Sequence, residues 1–350
     1  MCLKMFDILF ITHIPAFYKV NLYNELSKTL NVYVIFISSD TNEKRSTDFS
    51  SLDNINIKYS ILNETEFQNR NKLLSMIKLY QLLNNLNYKK IAVGGWDLPE
   101  FWLATLMTSY HKNSLVLEST FHESKTKGFK GAIKKIFLSR ISSVLASGQS
   151  HIQLLEKLDY RKKILVTCGV GIINKPKYNK KSVVYQKRFL YIGRLSKEKN
   201  LHTLINVFNG LPSYKLTIVG SGTETEKLFR LANKNISFVP PISNNEIADI
   251  YLSHDVFVLP SISEPWGLVL EEALYYGLPV IVSNRCGASE LITKGVNGVL
   301  FDPLNENELW NTVTSMGTLY FNSKLVGPVV HSIFEKDIKQ VKSYEFLVNE

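Results

Sequence analysis

Short apolar runs of strand length alternate along the chain with segments whose apolar positions recur at helical spacing. Residues 3–11 and 31–37 are of strand type, and between them Val20, Leu22, Tyr23, Leu26 and Leu30 repeat at near-helical intervals. The chain therefore opens β-α-β. Residues 71–87 predict an amphipathic helix, followed by a strand at 90–93, a helix over 99–110 and a strand at 114–118. Further short strands are expected at 144–146 and 164–166. Strict alternation of this kind predicts a doubly wound parallel sheet.

The pattern lapses between residues 168 and 187, where CGVGIINKPKYNKKSVVYQK is basic and turn-rich. A linker is placed at 171–187, closing an N-terminal domain at 1–170. A second α/β domain, 188–331, carries expected strands at 188–193, 215–219, 236–239, 255–260 and 279–283. A last helix is expected near 332–350.

The most informative stretch is 255–290. A buried strand leads into a Ser-rich turn, a helix from Gly267 to Tyr276, a Gly-Leu-Pro stop and a second buried strand. A βαβ unit has parallel strands, and ligands of such sheets bind beyond the carboxyl ends. The turn at 261–267 lies there. The first amides of the next helix, Gly267, Leu268 and Val269, suit an anion. Glu264 lies in the turn and Glu272 follows eight positions later in the helix.

These residues, ISEPWGLVLEEAL, resemble the E-x7-E signature of the retaining GT-B glycosyltransferases of glycosyltransferase family 4. The resemblance spans most of 188–303 and fades toward the N-terminus. It implies two Rossmann-like domains facing across a cleft, with the last helix crossing back to the first domain. It implies Glu264 beside the donor sugar and Glu272 on the ribose hydroxyls, with Trp266 counted among the donor-binding residues. Glu271 reads as a solvated neighbour.

YIGRLSKEKNL, 191–201, ends a strand at Gly193 and places Arg194 and Lys199 in the next loop. An arginine offers a phosphate two N–H donors and a lysine offers a compact charge. The resemblance gives both the role of neutralising the departing pyrophosphate, while Lys197 reads as solvated. IVGSGTE at 218–224 is a lone G-x-G, a weak signal by itself. The resemblance sets Gly220 near the nucleotide and the loop containing Pro240 near its base. On the acceptor side the candidates are His13, in a first loop without the family's double glycine, and Glu118 near the end of a later strand; the resemblance places His122, close by, beside the donor sugar as a catalytic candidate.

Composition narrows the partners. Lys plus Arg exceeds Asp plus Glu by 41 to 31, a net +10, which favours anionic ligands. No RNA-binding module is visible, so no nucleic acid is expected. Cys2, Cys168 and Cys286 are few and far apart, which argues for a reducing compartment. The N-terminal apolar run is interrupted by Asp7 and reads as a strand, not a signal peptide. No run of eighteen apolar residues suggests a membrane span. Residues 125–144 interleave Lys125, Lys127, Lys130, Lys134, Lys135 and Arg140 with Phe129, Ile133, Ile136, Phe137 and Ile141. Such a segment either lies on anionic lipid or is an ordinary surface helix.

The resulting expectation is a metal-independent, cofactor-free, retaining glycosyltransferase. It would use a UDP- or GDP-sugar and a lipid-linked oligosaccharide acceptor, as in O-antigen or capsule assembly. Its location would be cytoplasmic, with peripheral contact to the inner face of the membrane left open. Two alternatives stay open at this point: a nucleotide-sugar epimerase of similar fold, and a nucleotide-sugar binder without turnover.

Overall fold

The computed structural model describes residues 5–43, 48–178, 184–244, 246–322 and 326–349. Cys2, residues 179–183 of the expected linker and the final residue lie outside them. The chain divides into two compact units: Met1–Glu43, Ser50–Ile172 and Lys336–Glu350 form one, Lys44–Phe49 and Ile173–Glu335 the other.

The first unit contains β1 (Phe6–Thr12), α1 (Phe17–Leu26), β2 (Val32–Asp40), β3 (Lys58–Glu66), α2 (Lys72–Asn85), β4 (Tyr88–Val93), α3 (Pro99–Met107) and β5 (Asn113–Leu117). It continues with α4 (Gly128–Ser139), β6 (Ser143–Ala146), α5 (Gln149–Lys157) and β7 (Lys163–Val166). The strands pair in parallel in the order β3-β2-β1-β4-β5-β6-β7. Ile8, Leu9, Phe10 and Ile11 are fully or almost fully buried, as a central parallel strand covered on both faces requires. Strand β3 escaped the sequence reading. It is an edge strand, and its polar, mostly exposed positions break the apolar run on which that reading relies.

The second unit contains β8 (Arg188–Ile192), α6 (Leu201–Asn209), β9 (Lys215–Val219), α7 (Thr225–Leu231), β10 (Ile236–Val239), α8 (Ile247–Leu252) and β11 (Val256–Leu259). After these come α9 (Leu268–Tyr275), β12 (Val280–Ser283), β13 (Gly298–Phe301) and α10 (Glu306–Asn322). Its sheet is parallel in the order β10-β9-β8-β11-β12-β13. Strand β13 was not foreseen, because only four residues extend β12's edge. The last helix, α11 (Val326–Asn349), begins before the expected position. Its Tyr344, Leu347 and Val348 join Phe10, Tyr23 and Leu26 in the core on one face of the first sheet.

Strand order reverses at β1/β4 in the first sheet and at β8/β11 in the second. At such a switch the loops leaving adjacent strands diverge and open a crevice at their carboxyl ends. In the second unit those loops are 193–199 and 260–267, the two segments that carry the sequence motifs.

Candidate active site

The loop after β8 is shaped by glycines packed backbone against backbone. Gly193 has φ 156°, and a Cβ there would lie 2.7 Å from the Tyr191 hydroxyl. Tyr191 is buried, and its hydroxyl donates to the Arg194 carbonyl at 2.8 Å, fixing the turn that carries Arg194. Gly220 stands against Gly193: a Cβ at 220 would meet the Gly193 carbonyl at 2.0 Å. Its role in this fold is to let two loops touch, whatever else passes nearby. Pro240, just beyond β10, is exposed.

Lys199 follows in a short helical turn and is 7% exposed. Its Nζ donates to Glu264 Oε2 at 2.5 Å, and Ser261 Oγ lies 3.5 Å from the same oxygen. The two loops of the switch thus meet in an ion pair that joins two separate sequence motifs. Arg194 is half-exposed and lies 3.7 Å from Glu198; partial burial works to raise that carboxyl, but the hydrogen bond it accepts from Ser196 Oγ helps hold it below the ordinary carboxylate range. Lys197 is exposed, as expected.

The turn at 261–267 is pinned from behind by 286–288, a contact the sequence did not reveal. Glu264 and Cys286 form an isolated parallel bridge, Gly287 N donates to the Glu264 carbonyl at 2.9 Å, and Ala288 N donates to the Trp266 carbonyl at 2.9 Å. A Cβ on Gly287 would lie 1.9 Å from the Pro265 carbonyl. Gly287→Ala must therefore push the Glu264 turn away. A displacement approaching 1 Å at a catalytic group costs on the order of a hundredfold in rate. We expect that loss in turnover with a folded far-UV circular dichroism spectrum; an unchanged rate would show the turn tolerates the shift.

Gly267 caps α9 in the left-handed region, φ 98°. The amides of Gly267, Leu268 and Val269 stand in its first turn, where N–H groups lack intrahelical acceptors. Two expectations are corrected on this helix. Glu271 is fully buried, not solvated, and accepts from the Trp266 indole N–H at 2.5 Å. Trp266 is 2% exposed, so its indole braces the turn from the core side and does not face a ligand.

Glu272 is buried and accepts from the Tyr251 hydroxyl at 2.8 Å. The same hydroxyl lies 3.2 Å from the Val269 carbonyl, and the Tyr251 ring stacks on Tyr276 at 5.0 Å. Burial first, with neighbouring Glu271 adding to it, pushes the Glu272 carboxyl up to about 7. Tyr251, on α8, was missed because a tyrosine four residues before a strand reads simply as core.

The acceptor-side candidates lie in the first unit. Glu118, at the end of β5, pairs with Lys19 of α1 at 2.8 Å. Lys19 Nζ also donates to Thr12 Oγ1 at 3.2 Å; burial works against its charge, but the Glu118 charge and hydrogen bond, with Tyr18 and Tyr23, together outweigh it, so the lysine stays protonated throughout the ordinary pH range. His151 of α5 is fully buried, and burial lowers it to about 4. His13 packs between Phe67 and Phe101, with Nε2 3.7 Å from Asp97. His122 is exposed beside Phe121. Neither Lys19 nor His151 stood out in sequence, because each occupies an ordinary helical position.

With this geometry in hand, the second unit's likeness to known proteins can be placed beside it. Residues 174–318 match the family profile described as "Glycosyl transferases group 1". The matched stretch contains Arg194, Lys199, Glu264 and Glu272 alike.

Among curated relatives, the chain is 34% identical over 134 residues to the sulfoquinovosyl transferase SQD2 of Arabidopsis thaliana, covering 37% of this chain and 26% of that protein. It is 27% identical over 210 residues to an uncharacterized 41.2 kDa protein in the cps region of Klebsiella pneumoniae, covering 60% and 53%. The matched stretches thus span about a quarter to a half of those relatives' length. Among solved structures, Anabaena Alr3699/HepE in complex with UDP-glucose superposes with TM-score 0.74 at 17% identity, covering 99% of this chain and 100% of that one. The lipopolysaccharide outer core galactosyltransferase WaaB superposes with TM-score 0.71 at 17% identity, covering 99% of each. The fold, two parallel-sheet Rossmann-like domains, is that of the GT-B glycosyltransferases.

Proposed function

We propose that the chain is a retaining glycosyltransferase. It moves a sugar from a UDP- or GDP-sugar to a hydroxyl of a lipid-linked oligosaccharide during assembly of a bacterial surface polysaccharide. The observation that carries this reading is the Lys199–Glu264 pair, with Arg194 beside it and Glu272 one helix turn pair away, all at the β8/β11 switch. The match to the group 1 profile, the cps-region relative and the structures solved with UDP and UDP-glucose support it.

In this mechanism the bond from the sugar's anomeric carbon to the diphosphate breaks while the acceptor oxygen bonds to the same face. The acceptor proton passes to the departing phosphate oxygen. The transition state is oxocarbenium-like, as in other glycosyl chemistry. Arg194, Lys199 and the 267–269 amides stabilise the negative charge that grows on the leaving group. These groups supply the positive charge that a metal would otherwise provide. Glu264 lies beside the sugar, and Glu272 accepts from the ribose hydroxyls. On the other unit Glu118, held by Lys19, and His13 serve the acceptor, and His122 serves the donor sugar.

A panel of nucleotide sugars screened by thermal shift in EDTA tests the reading. A true donor at about a hundred times its Kd stabilises the protein by about 2.7 kcal/mol. We expect one UDP- or GDP-sugar to raise the melting temperature and, in the same buffer, to release nucleotide when an acceptor is added. No stabilisation by any member of the panel would overturn the donor assignment. Release that requires added Mg²⁺ or Mn²⁺ would overturn metal independence.

A further inference from the structure

The structure redraws the basic segment 125–144. Lys134 turns back to the Lys125 carbonyl and lies over the Trp96 ring, Lys135 pairs with Asp159, and Arg140 Nη2 donates to the Thr105 carbonyl. Half of the cations counted in the sequence are thus engaged within the fold. Lys125, Lys127 and Lys130 remain exposed, and Phe129 between them is 81% exposed.

The neighbouring helices add what the sequence reading did not contain. Helices α2 and α3 pack together, and Trp102 of α3 meets Phe137 of α4 at 5.0 Å. Sheet-facing residues of α2, α3 and α4 join a single core with β1, β4 and β5, so these helices cover the same face of the sheet. Their opposite sides point outward. There α2 exposes Leu73, Leu74, Ile77 and Tyr80 at helical spacing, α3 exposes Leu106, and α4 exposes Ile136. Single exposed apolar residues are ordinary, but a series on three adjacent helices is a surface in want of a partner.

We propose that the outer side of α2, α3 and α4 seats on an anionic lipid bilayer. Leu73, Ile77, Tyr80 and Phe129 enter the headgroup–acyl boundary, and Lys125, Lys127 and Lys130 lie against the lipid phosphates. A lipid surface satisfies both halves of this composition: it takes up unconnected aliphatic side chains, and its charge complements the exposed lysines. Among the described residues no helix is long and apolar enough to cross a membrane, so attachment through this face is peripheral. Because apolar insertion shares the work with charge, salt weakens the attachment without abolishing it. The proposal deepens the reading of a lipid-linked acceptor, yet its test needs neither donor nor acceptor, so the two can fail separately.

The test is co-sedimentation of the full chain with vesicles of phosphatidylcholine and phosphatidylglycerol, against vesicles of phosphatidylcholine alone. The parent is expected to partition onto the anionic vesicles at least about tenfold more strongly. The triple variant Leu73→Ser, Ile77→Ser, Tyr80→Ser and the single variant Phe129→Ala are each expected to lose about tenfold in partitioning, also at high salt. The variant K125E/K127E/K130E should lose binding chiefly at low salt. All these positions are exposed, so melting temperatures should match the parent and unfolding cannot mimic the result. The proposal is overturned if the parent stays in the supernatant at low ionic strength, or if the α2 substitutions leave partitioning unchanged. It is equally overturned if ultracentrifugation shows a dimer that those substitutions dissociate, since the face would then belong to a second copy.

Discussion

Lys199→Ala is expected to lower turnover by about two to three orders of magnitude, the usual cost of removing one preorganised donor from a developing anion. The same substitution should destabilise the protein. Lys199 and Glu264 side chains are only 9% and 12% exposed, so removing the lysine strands a carboxylate in poor solvent. Breaking one partner of a buried pair costs about 3–5 kcal/mol. Arg194→Ala should behave differently. Its side chain is 47% exposed and its contact with Glu198 is long, so the melting temperature should stay near the parent's while turnover falls by a similar factor. Glu264→Gln combined with Lys199→Ala separates the two effects, because it should restore much of the stability and none of the rate. Initial rates and thermal melts on the four proteins decide the matter. An unaltered rate in both single variants would remove these residues from the leaving-group site.

The second large effect concerns pH. Burial has raised the Glu272 carboxyl to about 7 from an ordinary 4.5, so near neutrality it is divided between two forms. Ionised, it accepts from Tyr251. Protonated, it can donate to that hydroxyl, which then turns its own hydrogen to the Val269 carbonyl. Tyr276 and Glu271 are the other titratable groups against it; neither supplies a positive charge.

The sign follows from the direction of the shift. A carboxyl raised in the folded state favours folding most below its unfolded pKa, and that contribution is lost as pH climbs from about 4.5 to about 7, roughly 3 kcal/mol in all. Ribose hydroxyls donate to a carboxylate, so nucleotide binding favours the ionised form. Affinity should accordingly weaken about tenfold per pH unit below pH 7 and level off above it. Calorimetric titration of UDP and GDP across this range measures the slope. The phosphate's own ionisation contributes to it, and Glu272→Gln isolates that part: the variant should bind weakly and keep only the phosphate component. Tyr251→Phe removes a hydrogen bond that favours the charged form, so its midpoint should move upward. If Glu272→Gln matches the parent at every pH for both nucleotides, the ribose assignment is wrong.

The charged loops proposed to hold the donor were visible in the sequence because phosphate and sugar sites would demand charged residues at strand ends. Glu264, Glu272, Arg194 and Lys199 interrupt apolar runs and announce themselves. Trp266, Glu271 and Tyr251 did not, since a side chain's direction depends on what packs behind it. The 286–288 segment, Gly193 against Gly220, and the ion pair joining residues 199 and 264 are contacts between parts of the chain that periodicity treats independently. The acceptor side was the least legible. Lys19 and His151 reach Glu118 from two different helices, an encounter that only the strand order creates. Strand β3 eluded the same reading because its polar edge lacks the apolar run of a covered strand.

The glycine contacts around the donor loops bear on how such a site can be redesigned. A Cβ at Gly220 would strike Gly193, one at Gly222 would strike the Leu195 carbonyl at 2.3 Å, and one at Gly287 would strike Pro265. Each donor loop is thus seated on the main chain of another loop, with no side chain between them to absorb a change. Grafting one loop from a related enzyme to alter sugar preference would import a mismatch along these seams. The segments 193–199, 220–224, 261–267 and 286–288 should be exchanged as one cassette, and libraries that randomise them separately will be spent largely on misfolded turns.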